Sequence, residues 1–252
     1  MPTALVTGGA KRIGRAIVEV LAENGWDVAI HYGQAGRQAE ALAADLRGRG
    51  RRACALGCDL ADLPAVERLT AAAVETMGPL DALVNNASRF VLDGAGDFTL
   101  AGWQHHHAVN YTAPALLMRD LARQLPAGRR GTAVNLLDQK LWNLNPDFHT
   151  YTASKLALAA LTEFCALSYA PDLRIVAVAP GLTLPSAKQS EANFLRVHDR
   201  TVLRRGSTPR DVAEAVLFVL ETPGYNAQAL LVDGGQHLDR KLRDVMFEGE
   251  AS

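Results

Sequence analysis

The sequence predicts one α/β domain built on a doubly wound parallel sheet with helices on both faces. Two observations lead there. Short apolar runs alternate with helical patterns as far as Val232, the rhythm of a sheet whose strands return through helices. The first unit also opens with Thr7-Gly8-Gly9-Ala10-Lys11-Arg12-Ile13-Gly14, a glycine turn between strand and helix. A length of 252 residues suits one large domain or two small ones, and no repeat or linker marks a second.

The elements follow in order. Residues 4–7 are an apolar strand that stops at Gly8-Gly9. Ile13, Ala16, Ile17, Val20 and Leu21 then take the spacing of a helix that buries one face. Gly25 lies just beyond and suits a C-terminal cap. Strand 27–32, helix 35–49, strand 53–58 and helix 63–77 repeat the unit, and strand 80–84 ends in Asn85-Asn86-Ala87. The helical stretch 100–124 contains Pro114, where the missing N–H predicts a break. Strand 132–137 leads to Asp138, helix 151–169 carries Tyr151 and Lys155, and strand 174–179 ends at Pro180-Gly181. Helix 208–221 and strand 229–232 close the pattern at Asp233-Gly234-Gly235. Residues 182–206 are polar and irregular. A loop of that length in a compact domain is more often functional than idle, and it is read as a substrate lid with a short helix inside. The tail beyond Gly235 has no clear partner and either frays or packs on another subunit.

Composition excludes several classes. A formal charge of -1 argues against binding nucleic acid or a membrane surface through bulk electrostatics. No apolar run approaches the ~20 residues of a membrane span. The opening MPTALVTGGAKRIG lacks the basic and apolar segments of a signal peptide. Cys54, Cys58 and Cys165 have no zinc or redox spacing and are read as reduced thiols of a cytoplasmic protein. His105, His106 and His107 are neighbours on a helix, so they point about 100° apart and do not converge on one ion. No metal site is expected.

In a parallel sheet ligands gather at the carboxyl ends of strands. Gly8, Asp59, Asn85, Asp138 and Pro180 all follow predicted strands and should converge. Gly8 and Gly14 permit a tight turn, and the helix N-terminus offers N–H groups to a pyrophosphate. A plain strand-to-helix turn is the alternative. Tyr151 and Lys155 are one helical turn apart on one face. An ammonium there lowers a phenol pKa and favours proton exchange near neutral pH. Asp138 is either a turn cap or a proton donor.

The motifs Thr7-Gly8-x-x-x-x-x-Gly14, Asn85-Asn86-Ala87, Asn110, Tyr151-x-x-x-Lys155, Pro180-Gly181 and Asp233-Gly234-Gly235 together resemble the short-chain dehydrogenase/reductases over nearly the whole chain. Within that family the sequence is most similar to the pteridine and dihydromonapterin reductases. Arg12 stands where most relatives have the middle glycine. Asn85-Asn86-Ala87-Ser88-Arg89-Phe90 matches an Asn-Asn-Ala-Ser-x-Phe motif whose Phe stacks on the pterin. Asp138 lies thirteen residues before Tyr151, where most of the family has serine.

The resemblance implies a Rossmann-like domain binding NADPH through Gly8, Lys11, Arg12, Ile13, Gly14, His31, Tyr32, Asp59, Leu60, Asn86, Ala87, Ser88, Tyr151, Lys155, Pro180 and Gly181. Asp59 would meet the adenine and Lys155 the nicotinamide ribose. Asp138, Tyr151, Lys155 and Asn110 would be catalytic, with Asn110 ordering water behind Lys155. Arg12, Ser88, Phe90, Asp138 and Tyr151 would frame a flat slot for a pterin. Phe90 either stacks there or is a core aromatic. The second strand ends His31-Tyr32-Gly33-Gln34 without a carboxylate, and Arg12, with Arg37 assisting, suits a 2′-phosphate, so the cofactor is read as NADPH. Arg12 has substrate contact as its alternative duty.

Reduction of a dihydropterin C=N bond is the leading reading. Reduction of a small carbonyl compound on the same scaffold comes second, and a non-catalytic NADP-binding sensor third. The helix after Tyr151 is apolar around much of its circumference, which suggests a subunit interface, and the family implies a homotetramer.

Overall fold

The computed structural model describes residues 1–185 and 189–247. Among the described residues seven strands form one sheet: β1 (Thr3–Val6), β2 (Asp27–Tyr32), β3 (Ala53–Gly57), β4 (Ala82–Asn85), β5 (Gly131–Leu136), β6 (Leu173–Pro180) and β7 (Ala229–Val232). Every pairing is parallel and the spatial order is β3-β2-β1-β4-β5-β6-β7. The order reverses between β1 and β4, which opens a crevice at the carboxyl edge of the sheet.

Side-chain alternation divides the core into two layers. Ala4 and Val6 of β1 face one side, with Val28, Ile30, Val84 and Val134. Helices α1 (Arg12–Glu23), α2 (Gly36–Gly48) and α8 (Pro209–Glu221) cover that side through Ile17, Leu21, Leu42 and Val216. Leu5 faces the other side with Ala29, Leu83 and Ile175. There α3 (Leu63–Met77), α5 (Ala113–Gln124) and α6 (His149–Ser168) supply Leu69, Leu117, Met118 and Cys165. Strands buried on both faces read as continuous apolar runs, as observed.

Two elements refine the sequence expectation. The break expected near Pro114 in the stretch 100–124 falls just before it. Helix α4 (Leu100–His107) runs into a π-helical turn, Ala108–Thr112, and Pro114 sits in the first turn of α5, where its missing N–H costs nothing. The reading of 182–206 as a lid with an internal helix meets α7 (Glu191–His198), capped by the Ser190 side chain accepting from Asn193 N. Residues 186–188 of that stretch lie outside the described residues. Among the described residues no helix is long and apolar enough to cross a membrane.

Candidate active site

A cavity of about 590 Å³ occupies the crevice. One end is formed by the turn between β1 and α1. Gly8 has φ 63, and a Cβ on Gly14 would lie 2.1 Å from the Gly8 carbonyl oxygen, so only glycine lets α1 approach so closely. The first turn of α1 has no side-chain cap from Lys11 and no acidic residue. Its N–H groups and dipole are therefore presented to whatever anion enters. Thr7 and Asn86 hold the turn. The Thr7 hydroxyl accepts from Asn86 N at 2.9 Å and Ala87 N at 3.0 Å, and Asn86 Nδ2 donates to Thr7 O at 2.8 Å.

His31 holds it from the other side. Gly8 N donates to His31 Nδ1 at 3.1 Å, and His31 Nε2 lies 2.9 Å from Cys58 O. A donor on one nitrogen and an acceptor on the other leave the neutral ring with its proton on Nε2. Burial holds its pKa below the usual histidine value.

Asp138, Tyr151 and Phe90 line the opposite end. Tyr151 donates its hydroxyl to Asp138 Oδ2 at 2.7 Å, while Asp138 Oδ1 accepts from Lys140 N at 2.9 Å. Asp138 is thus both turn cap and partner of the tyrosine. Burial raises its pKa, opposed by those two hydrogen bonds. Lys155 lies beneath, its Nζ donating to Leu136 O at 2.6 Å and 5.9 Å from the Tyr151 ring centre. Burial pulls the Lys155 pKa down to about 8. The expected lowering of the phenol by Lys155 is absent here. Burial, then the Asp138 carboxylate, push Tyr151 well above the ordinary phenol value.

The local sequence explains how α6 presents these groups. Phe148, at φ 57 and 3% exposed, makes the entry turn. Asp93 then caps the helix from a distant loop, its Oδ1 accepting from Thr150 N at 3.0 Å and its carbonyl from His149 N at 3.1 Å. A carboxylate at a helix N-terminus also complements the dipole. A buried amide series bolts α6 to the sheet: Asn85 Nδ2 to Asn135 Oδ1 at 2.8 Å, then Asn135 Nδ2 to Thr162 Oγ1 at 3.0 Å.

Asn110 lies in the π-turn and is fully buried. It accepts from Arg89 N at 2.8 Å and donates to Arg89 O and Ser154 Oγ, both at 3.0 Å. Its amide therefore clamps the Ser88–Phe90 loop onto α6.

The structure brings Gly8, Lys11, Arg12, Ile13, Gly14, Asn86, Ala87, Ser88, Phe90, Asp138, Tyr151 and Gly181 to the cavity wall. Pro180 ends β6 directly behind Gly181. Other residues take second posts. Tyr32 packs its ring over Gly36 and Gly57, Asp59 caps the next turn by accepting from Ala61 N at 2.9 Å, and Leu60 is a core residue. Arg12 takes the left-handed region at φ 54 and donates from Nη2 to Pro185 O at 3.0 Å, joining the glycine turn to the start of the 182–206 stretch. Phe90 is 41% exposed and so is not a core aromatic; one face stacks on Phe148 at 4.0 Å between ring centres. His106 meets Thr150 Oγ1 at 2.7 Å and His107 lies on Trp103, so the histidines diverge.

Sequence reasoning missed Phe148, Gln139, Gln236, Asp244 and Val245, while Thr183 of the cavity wall falls within the 182–206 stretch. Gln236 follows the Asp233-Gly234-Gly235 turn and was findable by position. Asp244 and Val245 carry no local signal.

Residues 2–194 match the short chain dehydrogenase family. The solved structure of FolM alternative dihydrofolate reductase 1 from Brucella canis, complexed with NADP, superposes with a TM-score of 0.92 at 40% identity, covering 96% of each chain. A short chain dehydrogenase from Burkholderia cenocepacia in complex with NADP gives 0.86 at 33%, over 93% of this chain and 97% of that one. L-rhamnose 1-dehydrogenase (NAD(P)(+)) from Azotobacter vinelandii is 31% identical over 246 residues, 92% of this chain and 95% of its own. A glycine turn at the sheet crevice, a tyrosine and lysine one turn apart beneath it, and these matches agree: the chain belongs to the short chain dehydrogenase family.

Proposed function

We propose that the protein is an NADPH-dependent reductase of a pterin, converting a C=N bond of a dihydropterin to the tetrahydro form. The observation that carries this reading is the hydrogen bond from Tyr151 to Asp138, made inside the cavity and beside Phe90. Similarity to an alternative dihydrofolate reductase complexed with NADP supports it.

The chain's residues fit the cofactor. The uncapped N-terminus of α1 and the close approach at Gly14 suit a pyrophosphate, and Arg12 in the same turn suits the 2′-phosphate. The absence of a carboxylate after His31-Tyr32 suits the 2′-phosphate of NADPH. Lys155, buried behind Tyr151 with its Nζ on Leu136 O, would hold the nicotinamide ribose. When bound, a reduced nicotinamide supplies a hydride to the substrate carbon.

The chain supplies the proton. A carboxyl whose pKa is raised by burial keeps its proton closer to neutral pH than an exposed one, and Tyr151 stays protonated throughout. Asp138 and Tyr151 thus form one donor unit aimed at a ring nitrogen. Phe90 offers a π-surface against which a flat heterocycle lies. In this reading the protein works in the cytoplasm with its three cysteines free, and as a homo-oligomer through α6, whose Phe164 and Leu167 are exposed.

The relative named for L-rhamnose oxidation favours a second reading, reduction of a small carbonyl compound. NADPH oxidation measured with dihydropterins, oxidised pterins and simple carbonyls separates the two. Turnover of dihydropterins that is lost in Tyr151→Phe supports the pterin reading. Turnover of carbonyls alone sinks it, and tight NADPH binding without turnover moves the answer to a sensor.

A further inference from the structure

Residues 239–247 bring Asp244 and Val245 to the cavity wall, and several contacts hold the segment there. Asn143 Nδ2 donates to Asp239 O at 3.0 Å. Arg243 Nε reaches both carboxylate oxygens of Asp147 at 3.0 and 2.9 Å, and Asp244 N donates to Asp147 Oδ2 at 2.7 Å. Met246 packs with Phe148 and Tyr151. Asp244 and Val245 line the cavity together with Asp138 and Tyr151.

The cavity is consequently polarised. Lys11 and Arg12 stand at the glycine-turn end, and the carboxyl groups of Asp138 and Asp244 at the other. Anions belong at the first end. The second disfavours an anionic substrate and favours one rich in N–H donors. Asp138 is taken up by Tyr151 and the Lys140 N–H. Asp244 Oδ2 accepts from Lys140 Nζ at 3.2 Å and Oδ1 from Met246 N at 3.2 Å, which leaves each oxygen a further lone pair. Its side chain remains 17% exposed, so the carboxylate is reachable from the cavity. Lys140, only 3% exposed, supplies the counter-charge that lets a carboxylate stand there.

We propose that Asp244 is a substrate-binding residue that receives the paired N–H groups of a 2-amino-4-oxopyrimidine ring and so selects such rings over 2-oxo rings and plain carbonyls. The inference rests on the pterin reading and deepens it. The ring N–H and the neighbouring amino N–H point the same way, as in a guanidinium, and match two carboxylate oxygens. A 2-oxo ring places a lone pair where the amino donor was and meets the carboxylate repulsively. Asp138 and Tyr151 then remain free for the ring being reduced.

The test compares a dihydropterin with its 2-oxo (lumazine-type) counterpart at saturating NADPH, in wild type and in Asp244→Asn. Wild type is expected to prefer the 2-amino compound by about 10- to 100-fold in kcat/KM. Asp244→Asn should raise KM for the 2-amino compound by a similar factor, hold kcat within about three-fold, and erase the preference. Its NADPH affinity should match wild type, which also shows that it is folded. Equal loss for both compounds, or no change, overturns the proposal and leaves Asp244 as an anchor for Lys140. Absence of 2-amino preference in wild type overturns it without any variant. Wild type that reduces carbonyls but neither pteridine overturns the pterin reading and the inference together.

Discussion

Burial decides the chemistry of the residues at the bottom of the cavity. Asp138 keeps a raised pKa although Lys155 lies near it, because loss of water outweighs that attraction. If its proton goes to substrate, kcat falls as pH rises through this raised value. Asp138→Asn preserves the cap on Lys140 N but removes the acid. It should lower kcat by about 10²- to 10⁴-fold and abolish that descending limb in a pH–rate profile. A limb near 8 that survives the substitution belongs to Lys155, whose pKa is drawn down to about 8. Arg12 illustrates a different compromise. Its left-handed backbone at φ 54 costs about 1 kcal/mol where glycine costs nothing, and the return is a side chain that ties the glycine turn to Pro185. The spacing of Asp138, Tyr151 and Lys155 was readable in the sequence because all three sit in or beside one strand–helix unit. The direction of the Tyr151 shift was not, since spacing says nothing of desolvation.

The glycine turn and α1 act as one element. A methyl group on Gly14 would meet the Gly8 carbonyl at 2.1 Å and Asn86 Nδ2 at 2.5 Å, neither of which can yield without moving the strand ends. Gly14→Ala should weaken NADPH binding on the order of 100-fold, because a shift of about 1 Å misplaces the N–H groups. It should also destabilise the fold by about 1–3 kcal/mol, measurable by titration and thermal melting. At this scale the alternation of strands and helices was legible from apolar periodicity alone. The exceptions have physical reasons. The π-turn around Asn110 meets four tertiary hydrogen-bonding groups, and Pro114 marks only where α5 starts after it. The turn at Phe148 is set by packing against Phe90 and Met246, which lie far away in the sequence. The packing of Leu60 in the core and of the Tyr32 ring over Gly36 and Gly57 was not legible either, because the partners come from other elements.

For the molecule as a whole, pH acts through groups whose surroundings differ between folded and unfolded states. His31 is 2% exposed and held neutral, so its folded pKa lies below the unfolded value of 6.5. As pH falls below 6.5 the unfolded chain takes up the proton first, and stability declines until the depressed folded pKa is reached. Asp138 works in the opposite sense. Its contribution is present below the unfolded value of 3.8 and is lost as pH rises through the raised folded value. His31→Gln should therefore soften the acid side. Between pH 7.5 and 5.5 wild type is expected to lose more melting temperature than the variant. A variant that loses as much as wild type would show that His31 does not govern this range.

The wall contributed by Asp244 and Val245 has a consequence in time as well as in space. The cavity draws its lining from the turn after β1 and from the segment after β7, so contacts that complete it join distant parts of the chain. Closing such contacts is slow relative to forming helices or neighbouring strand pairs. A partly folded chain can therefore possess its sheet, its glycine turn and even its Tyr151 helix while lacking this wall of the cavity. Catalytic competence is the property of this molecule that matures last.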